Sequence, residues 1–172
     1  MEALARVLAR RRVTLGFVFA VAVLYVASAT RASLVAGAAI GLAGEAIRIW
    51  AAGHLEKSSE VTRSGPYRWT RHPLYVGSCL IAAGVIVAAQ SVVVAVVGSL
   101  YMATTIAAAI RTEEAFLRQA FGDTYERYQR SEAAPMRRRF SLERAQRNRE
   151  YRAVIGLVGG FALLALKLVL SV

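Results

Sequence analysis

The chain has 172 residues, a formal net charge of +11 and 56% hydrophobic residues, with a mean hydropathy of +0.44. That is room for one domain, and it is too apolar for an ordinary soluble one. The single cysteine, Cys79, excludes an internal disulfide and a thiolate metal cluster, and two histidines, His54 and His72, are too few and too isolated for a metal site.

Five apolar segments follow in chain order. The first covers residues 13–29 and the second residues 34–53, with Glu45 and Arg48 inside it. Residues 74–110 form one apolar run of 37 residues. As a single helix it would be about 55 Å long, against a hydrocarbon core of about 30 Å. It must therefore fold back near Gln90-Ser91, giving the third and fourth segments. The fifth covers residues 154–170. Arg10-Arg11-Arg12, the short first run and Ala27-Ser28-Ala29 also fit a signal peptide. The short connection to the second segment favours a retained helical hairpin. Gly37, Gly41 and Gly44 supply a small-residue face for close helix packing. Cys79 reads as a small buried hydrophobe.

Basic residues set the expected orientation. With the N-terminus inside, nineteen Lys and Arg lie on the cytoplasmic side and Arg31 alone lies outside. Arg48 and Lys167 lie within spans near opposite ends and can snorkel. This is a strong positive-inside asymmetry. The expected fold is an all-α integral membrane protein with five transmembrane helices, the N-terminus cytoplasmic, and short cytoplasmic helices after the fourth span. Residues 1–172 form one membrane domain: a helical hairpin (13–53), a core (54–135), then a basic linker and last span (136–172). The Arg-rich stretch 137–152 lacks interleaved aromatics, which argues against nucleic acid. It reads as charge lying against anionic headgroups.

Two polar clusters flank the third and fourth spans. Ser64-Gly65-Pro66-Tyr67 is a turn signal. Pro73 suits the first turn of a helix, where its missing N–H costs nothing. Arg71 and His72 then stand at a helix N-terminus, a place that favours anions. They serve either as a dock for a carboxylate-bearing ligand or as interfacial anchors. At the other end of the fourth span, Glu113 and Glu114 point about 100° apart on a helix. An inward glutamate would attract an ammonium or sulfonium; the alternative is a solvated helix end. Gly122 fits a helix C′ position, and Tyr125 and Tyr128 are expected to pack against the membrane surface. Glu45 and Arg48, spaced i, i+3, can pair within the second span, and intramembrane ions point to function.

The run Gly65-Pro66-Tyr67, Arg71-His72-Pro73-x-Tyr75-x-Gly77, Glu113-Glu114-x-x-Leu117 and Phe121-Gly122-x-x-Tyr125-x-x-Tyr128 resembles the isoprenylcysteine carboxyl methyltransferase family. It is similar, more loosely, to the phospholipid N-methyltransferases, which share the Pro-x-Tyr-x-Gly and paired-glutamate elements. The resemblance implies S-adenosyl-L-methionine as cofactor, held by Tyr67, His72, Pro73, Leu74, Tyr75 and Glu113. Two features depart from the pattern. Ala109 stands where eukaryotic relatives carry a substrate-binding arginine, and Gln90 is followed by Ser91-Val92 where they carry Asn-Pro. These departures turn the expectation away from prenylcysteine.

The resulting expectation is an S-adenosylmethionine-dependent methyltransferase in the inner (plasma) membrane of a prokaryotic cell, its active site facing the cytoplasm. It would transfer a methyl group to a lipophilic or lipidated acceptor, with O-methylation of a carboxylate or hydroxyl favoured. Glu114 and Arg111 are the candidate catalytic or acceptor-orienting residues, and no metal or nucleic acid is expected. A phospholipid headgroup N-methyltransferase is the alternative within the enzyme class. A small non-enzymatic transporter or scaffold is the alternative outside it, and would need polar groups at the bilayer midplane.

Overall fold

The structure, a computed structural model, describes residues 21–134 and 136–170, and every regular element among them is helical. Helix α1 (residues 21–26) is the described helical part of the first apolar segment. It is followed by α2 (Arg31–Ala52), a short 3-10 turn (Gly65–Arg68), α3 (Pro73–Ala89), α4 (Val92–Gln129), α5 (Leu142–Arg147) and α6 (Tyr151–Leu170). Three of these, α2, α4 and α6, are long and apolar enough to cross a membrane. Helix α3 is apolar but has 17 residues, a length of about 25 Å, slightly under the ~30 Å hydrocarbon core. The expected first span begins outside the described residues.

Local sequence explains the helix ends. Thr30 caps α2 through a reciprocal pair, its hydroxyl accepting from Ser33 N (3.1 Å) while Ser33 Oγ accepts from Thr30 N (2.9 Å). Pro73 opens α3 at a first-turn position. The long apolar run reverses where expected: Gln90 takes a left-handed conformation (φ 46°) and Ser91 caps α4 by accepting from Val94 N. Helix α4 carries on past its apolar part and kinks at Gly122 (φ 44°, ψ −122°). That backbone conformation is open to glycine alone at little cost.

Helices α2 and α3 form the closest pair. Gly44 of α2 lies against Gly77 of α3, where an added Cβ would stand 2.6 Å from the Gly77 carbonyl oxygen. Gly37 meets Gly84 and Ala88 in the same way further along, while Gly41 faces Leu157 and Phe161 of α6. The small-residue stripe therefore brings two backbones into contact and seats a third helix beside them. At the end remote from the loops, Ser33 Oγ donates to Ala88 O (3.1 Å) and Ser28 N to Ala89 O (2.8 Å). Val23, Ala27, Ala88, Ala89, Val94 and Leu164 form the apolar core there. Lys167 Nζ donates to the carbonyls of Leu24 (2.7 Å), Tyr25 (2.9 Å) and Ala27 (2.7 Å), so α6 closes the C-terminal end of α1.

Two expectations about individual residues change. Cys79 is exposed, not buried. It shares with exposed Val76 a face of α3 turned away from α2. The basic stretch 137–152 is in part docked onto the protein. Arg138 grips Glu60 through two hydrogen bonds (2.6 and 2.8 Å), and Arg144 donates to Glu56 (2.7 Å) and to Gly53 O (2.6 Å). Asn148 Nδ2 reaches the carbonyls of Ala52 (2.9 Å) and Leu55 (2.8 Å) at the end of α2. Arg144 and Asn148 satisfy carbonyls that the helix leaves open, and with Arg138 they strap α5 across the loop that carries the 3-10 turn.

Candidate functional site

All the loops that follow α2 and precede α3 and α6 gather at one end of the helices. The site begins with the 3-10 turn. Gly65 has φ 56° and packs so closely on the His54 ring that a Cβ would overlap its carbons. His54 is buried, with Nδ1 3.1 Å from Ser64 Oγ. Burial, helped by the Arg144 and Arg138 charges, holds its imidazole below its ordinary 6.5 and thus neutral. The turn presents Tyr67, buried at 6% exposure. Its carbonyl accepts from the Tyr128 hydroxyl at 2.7 Å. Burial first, and then the nearby Glu113 charge, push the Tyr67 hydroxyl far above its ordinary value, so it stays protonated as a donor.

Five residues after Tyr67 the chain reaches His72, at the start of α3. His72 is its N-cap, and Pro73 is fully buried in its first turn. His72 Nε2 lies 3.2 Å from Glu114 Oε1, and Nδ1 lies 3.9 Å from Glu113 Oε2. Helix α4 thus sets one glutamate against each nitrogen of the same imidazole. Glu114 is the inward member, with 18% side-chain exposure against 41% for Glu113. It is further held by Arg71 (3.4 Å) and Arg118 (3.3 Å). With its amide oxygen turned inward, Gln129 accepts from both guanidiniums, at 2.9 and 3.0 Å. The Nδ1 atom of His72 is buried and makes no hydrogen bond. The Tyr75 ring stands 5.7 Å from the His72 ring.

Every cofactor position expected from sequence therefore lies on the 3-10 turn, the first turn of α3, or the stretch of α4 that faces them. Tyr125 and Tyr128 behave differently from expectation. Tyr125 is completely buried, its ring 6.3 Å from that of Tyr128. The kink at Gly122 turns this last part of α4 back onto the loop, so Tyr125 is enclosed by protein and Tyr128 is bonded to the 3-10 turn. Arg111 is exposed on α4, and no ion pair joins it to the Glu114 cluster among the described residues.

A second polar cluster lies against the other side of α3. Arg48 Nε donates to Glu150 (2.6 Å), its NH1 reaches Ser78 Oγ and Leu74 O, and Glu45 stands 3.9 Å away. The Glu45–Arg48 pairing follows from their spacing. Glu150 does not, although an acidic residue in an arginine-rich stretch, just before the last apolar run, is a visible signal. Arg48 and Ser78 also line a cavity of about 520 Å³ bounded by α1, α3, α4 and α6, whose other walls are almost wholly apolar.

Comparisons with known proteins show the family of the chain. Residues 17–124 match the family model for phospholipid methyltransferases, a range that includes α2, α3 and the paired glutamates. Among curated proteins the chain is 38% identical over 88 residues to the cobalt-zinc-cadmium resistance protein CzcN of Cupriavidus metallidurans. That match covers 50% of this chain and 41% of the relative, so the chain matches less than half of the curated relative's length. No solved structure matches. The chain belongs to the phospholipid methyltransferase family, which includes the isoprenylcysteine carboxyl methyltransferases.

Proposed function

We propose that the protein is an S-adenosylmethionine-dependent methyltransferase that acts on a lipophilic acceptor at the cytoplasmic face of a membrane. The observation that carries this reading is His72, held between Glu113 and Glu114 with its buried Nδ1 left without a hydrogen bond.

The residues fit the cofactor's chemistry. S-adenosylmethionine carries an ammonium and a sulfonium, which call for carboxylates, and a carboxylate, which calls for cations. Glu113 is the half-exposed carboxylate available to it. Arg71 and the first turn of α3 favour its carboxylate. Tyr67 and Tyr75 supply aromatic faces suited to a cation or a purine. The orphaned His72 Nδ1 is a polar atom that a ligand would satisfy. When bound, the cofactor supplies an electrophilic methyl group on sulfur.

The chain's own part is binding, alignment and exclusion of water. Glu114 already serves His72, Arg71 and Arg118, so its role is to orient His72 and hold Arg71 in place. Tyr125, Tyr128 and the strap around α5 shield the turn that carries Tyr67. Such alignment in a dry site is a large source of rate. The basic asymmetry of nineteen to one supports a cytoplasmic position for this end.

O-methylation of a hydroxyl-bearing lipid is the favoured reaction. The family match favours a second reading, N-methylation of an amine headgroup. Calorimetric titration of the purified protein with S-adenosylmethionine and its demethylated product tests the cofactor assignment, and saturable binding of both is expected. Mass spectrometry of native lipid extract after incubation with isotopically labelled cofactor then identifies the methylated atom. Absence of binding to a folded preparation would overturn the assignment.

A further inference from the structure

Contacts within the protein account for only part of the arginine-rich stretch before α6. Residues 137–152 hold seven arginines and two glutamates. Three of the arginines pair with the loop: Arg138 with Glu60, and Arg144 and Arg147 with Glu56. The other four, Arg137, Arg139, Arg149 and Arg152, are exposed and form no ion pair among the described residues.

The outward set has a pattern. Arg137 and Arg139 are exposed on either side of Arg138, which donates to Glu60 and to the carbonyl of His54. Helix α5 buries Ala145 and leaves Leu142 and Gln146, one turn apart, exposed. Leu142 and Tyr151 are 60% and 48% exposed, so apolar side chains stand among the unpaired cations. Glu143 is the exposed acid in the stretch, since Glu150 is buried. Arg149 takes a left-handed backbone conformation (φ 61°). Glycine adopts it at less cost, so an arginine there points to a use for its side chain. Tyr151 opens α6, which is long and apolar enough to cross a membrane. That sets this surface at the level where a bilayer begins. Cations and half-exposed apolar side chains at the foot of a span match anionic headgroups above an acyl boundary.

We propose that Arg137, Arg139, Arg149 and Arg152, with Leu142 and Tyr151, form a docking surface for the anionic phospholipid headgroups of the bilayer, and that docking steadies the strap on the loop that carries the 3-10 turn. One short segment carries both sets of side chains. Its inward members, Arg138, Arg144 and Asn148, bond the loop at Glu60, Glu56 and the carbonyls of Ala52, Gly53, His54 and Leu55. Headgroups that fix the outward arginines remove freedom from the segment, so the inward bonds form at a lower entropic cost. The composition of the membrane thereby sets how firmly the turn bearing Tyr67 is held. This goes beyond the cofactor reading and does not depend on it.

The test uses the full chain with Cys79→Ser and a cysteine at Gln146 that carries an environment-sensitive fluorophore. Nanodiscs of phosphatidylcholine alone are compared with discs in which a third of the lipid is phosphatidylglycerol. Each arginine near an anionic surface strengthens association roughly fivefold. The label is therefore expected to shift to an apolar-type emission in the anionic discs, and high salt should reverse the shift. Replacing the four outward arginines by Gln is expected to remove the response, and replacing them by Lys to keep it. Hydrogen exchange of the amides of residues 53–68, on the same preparations without the label, is expected to slow several-fold in the anionic discs and to do so less in the Gln variant. Equal emission in both discs, or a shift that survives in a Gln variant with unchanged thermal unfolding, overturns the docking surface. A shift without slower exchange overturns its link to the loop. A label that responds to an RNA oligonucleotide in neutral discs and not to phosphatidylglycerol assigns the surface to nucleic acid and overturns the proposal.

Discussion

His72 Nε2 and Glu114 Oε1 approach to 3.2 Å across 42 positions of sequence, joining the first turn of α3 to the polar end of α4. The contact fixes the imidazole so that its other nitrogen faces Glu113, and it makes one unit of two motifs that would otherwise be separate helix ends.

His72→Ala and Glu113→Gln are each expected to weaken cofactor binding while leaving the fold intact. A hydrogen bond to a charged group contributes about 1.5–3 kcal/mol, so the dissociation constant should rise roughly ten- to a hundredfold. Calorimetry on mutants with unchanged thermal unfolding checks this. Unchanged affinity would remove the residue from the site.

Glu114→Gln should act differently from Glu113→Gln. It removes the partner of His72, Arg71 and Arg118 together, so affinity and thermal stability should fall in the same variant. A loss of affinity alone would show that Glu114 contacts the cofactor directly.

Gly44→Val should separate α2 from α3. The Cβ would meet the Gly77 carbonyl at 2.6 Å and Ile81 N at 2.9 Å, and both are backbone atoms that cannot rotate aside. Overpacking of this kind costs about 1–3 kcal/mol. Unfolding in mild detergent should show it, whereas Gly156→Ala, at a position with nothing nearby, should be close to neutral.

The neutral, buried His54 predicts a pH dependence. In the unfolded chain a histidine takes up a proton near its ordinary 6.5, and in the folded protein only at lower pH. Between those points the unfolded state binds more protons, so stability rises with pH through that window. The contribution is complete above 6.5 and is lost as pH falls below it. Thermal unfolding from mildly acidic to mildly alkaline pH should show this slope, and His54→Gln should flatten it.

Orientation is open to a direct test. In a Cys79→Ser background, a cysteine at Arg31 should react with an impermeant thiol reagent added to intact cells. A cysteine at Lys57 should react only after the membrane is opened. Both positions are exposed on the protein. The reverse labelling pattern would invert the proposed topology.

Much of the architecture was legible because it depends on local rules. The reversal at Gln90-Ser91 follows from a helix too long for a bilayer, the start of α3 from Pro73, the kink from Gly122, and the α2–α3 contact from glycines on one face. The pairing of Glu45 with Arg48 needed only helical spacing, and the resemblance carried by the His-Pro-x-Tyr and Glu-Glu runs pointed to the family.

Long-range geometry decided the rest. Periodicity places Glu113 and Glu114 about 100° apart but cannot say which turns inward, since that depends on where α3 meets α4. Tyr125 and Tyr128 carry no mark that separates a membrane-facing tyrosine from one folded back over a site. The arginines of residues 137–152 look alike in sequence, and only the position of Glu56, Glu60 and the open carbonyls at the end of α2 selects Arg138 and Arg144 for docking. Sequence by itself determined which segments are apolar, where they turn and which motifs they carry, because those properties depend on neighbours a few residues apart. Tertiary structure alone decided that Glu150, 102 positions from Arg48, completes a charge cluster at the head of a cavity, because a contact between distant segments exists only once the helices have packed.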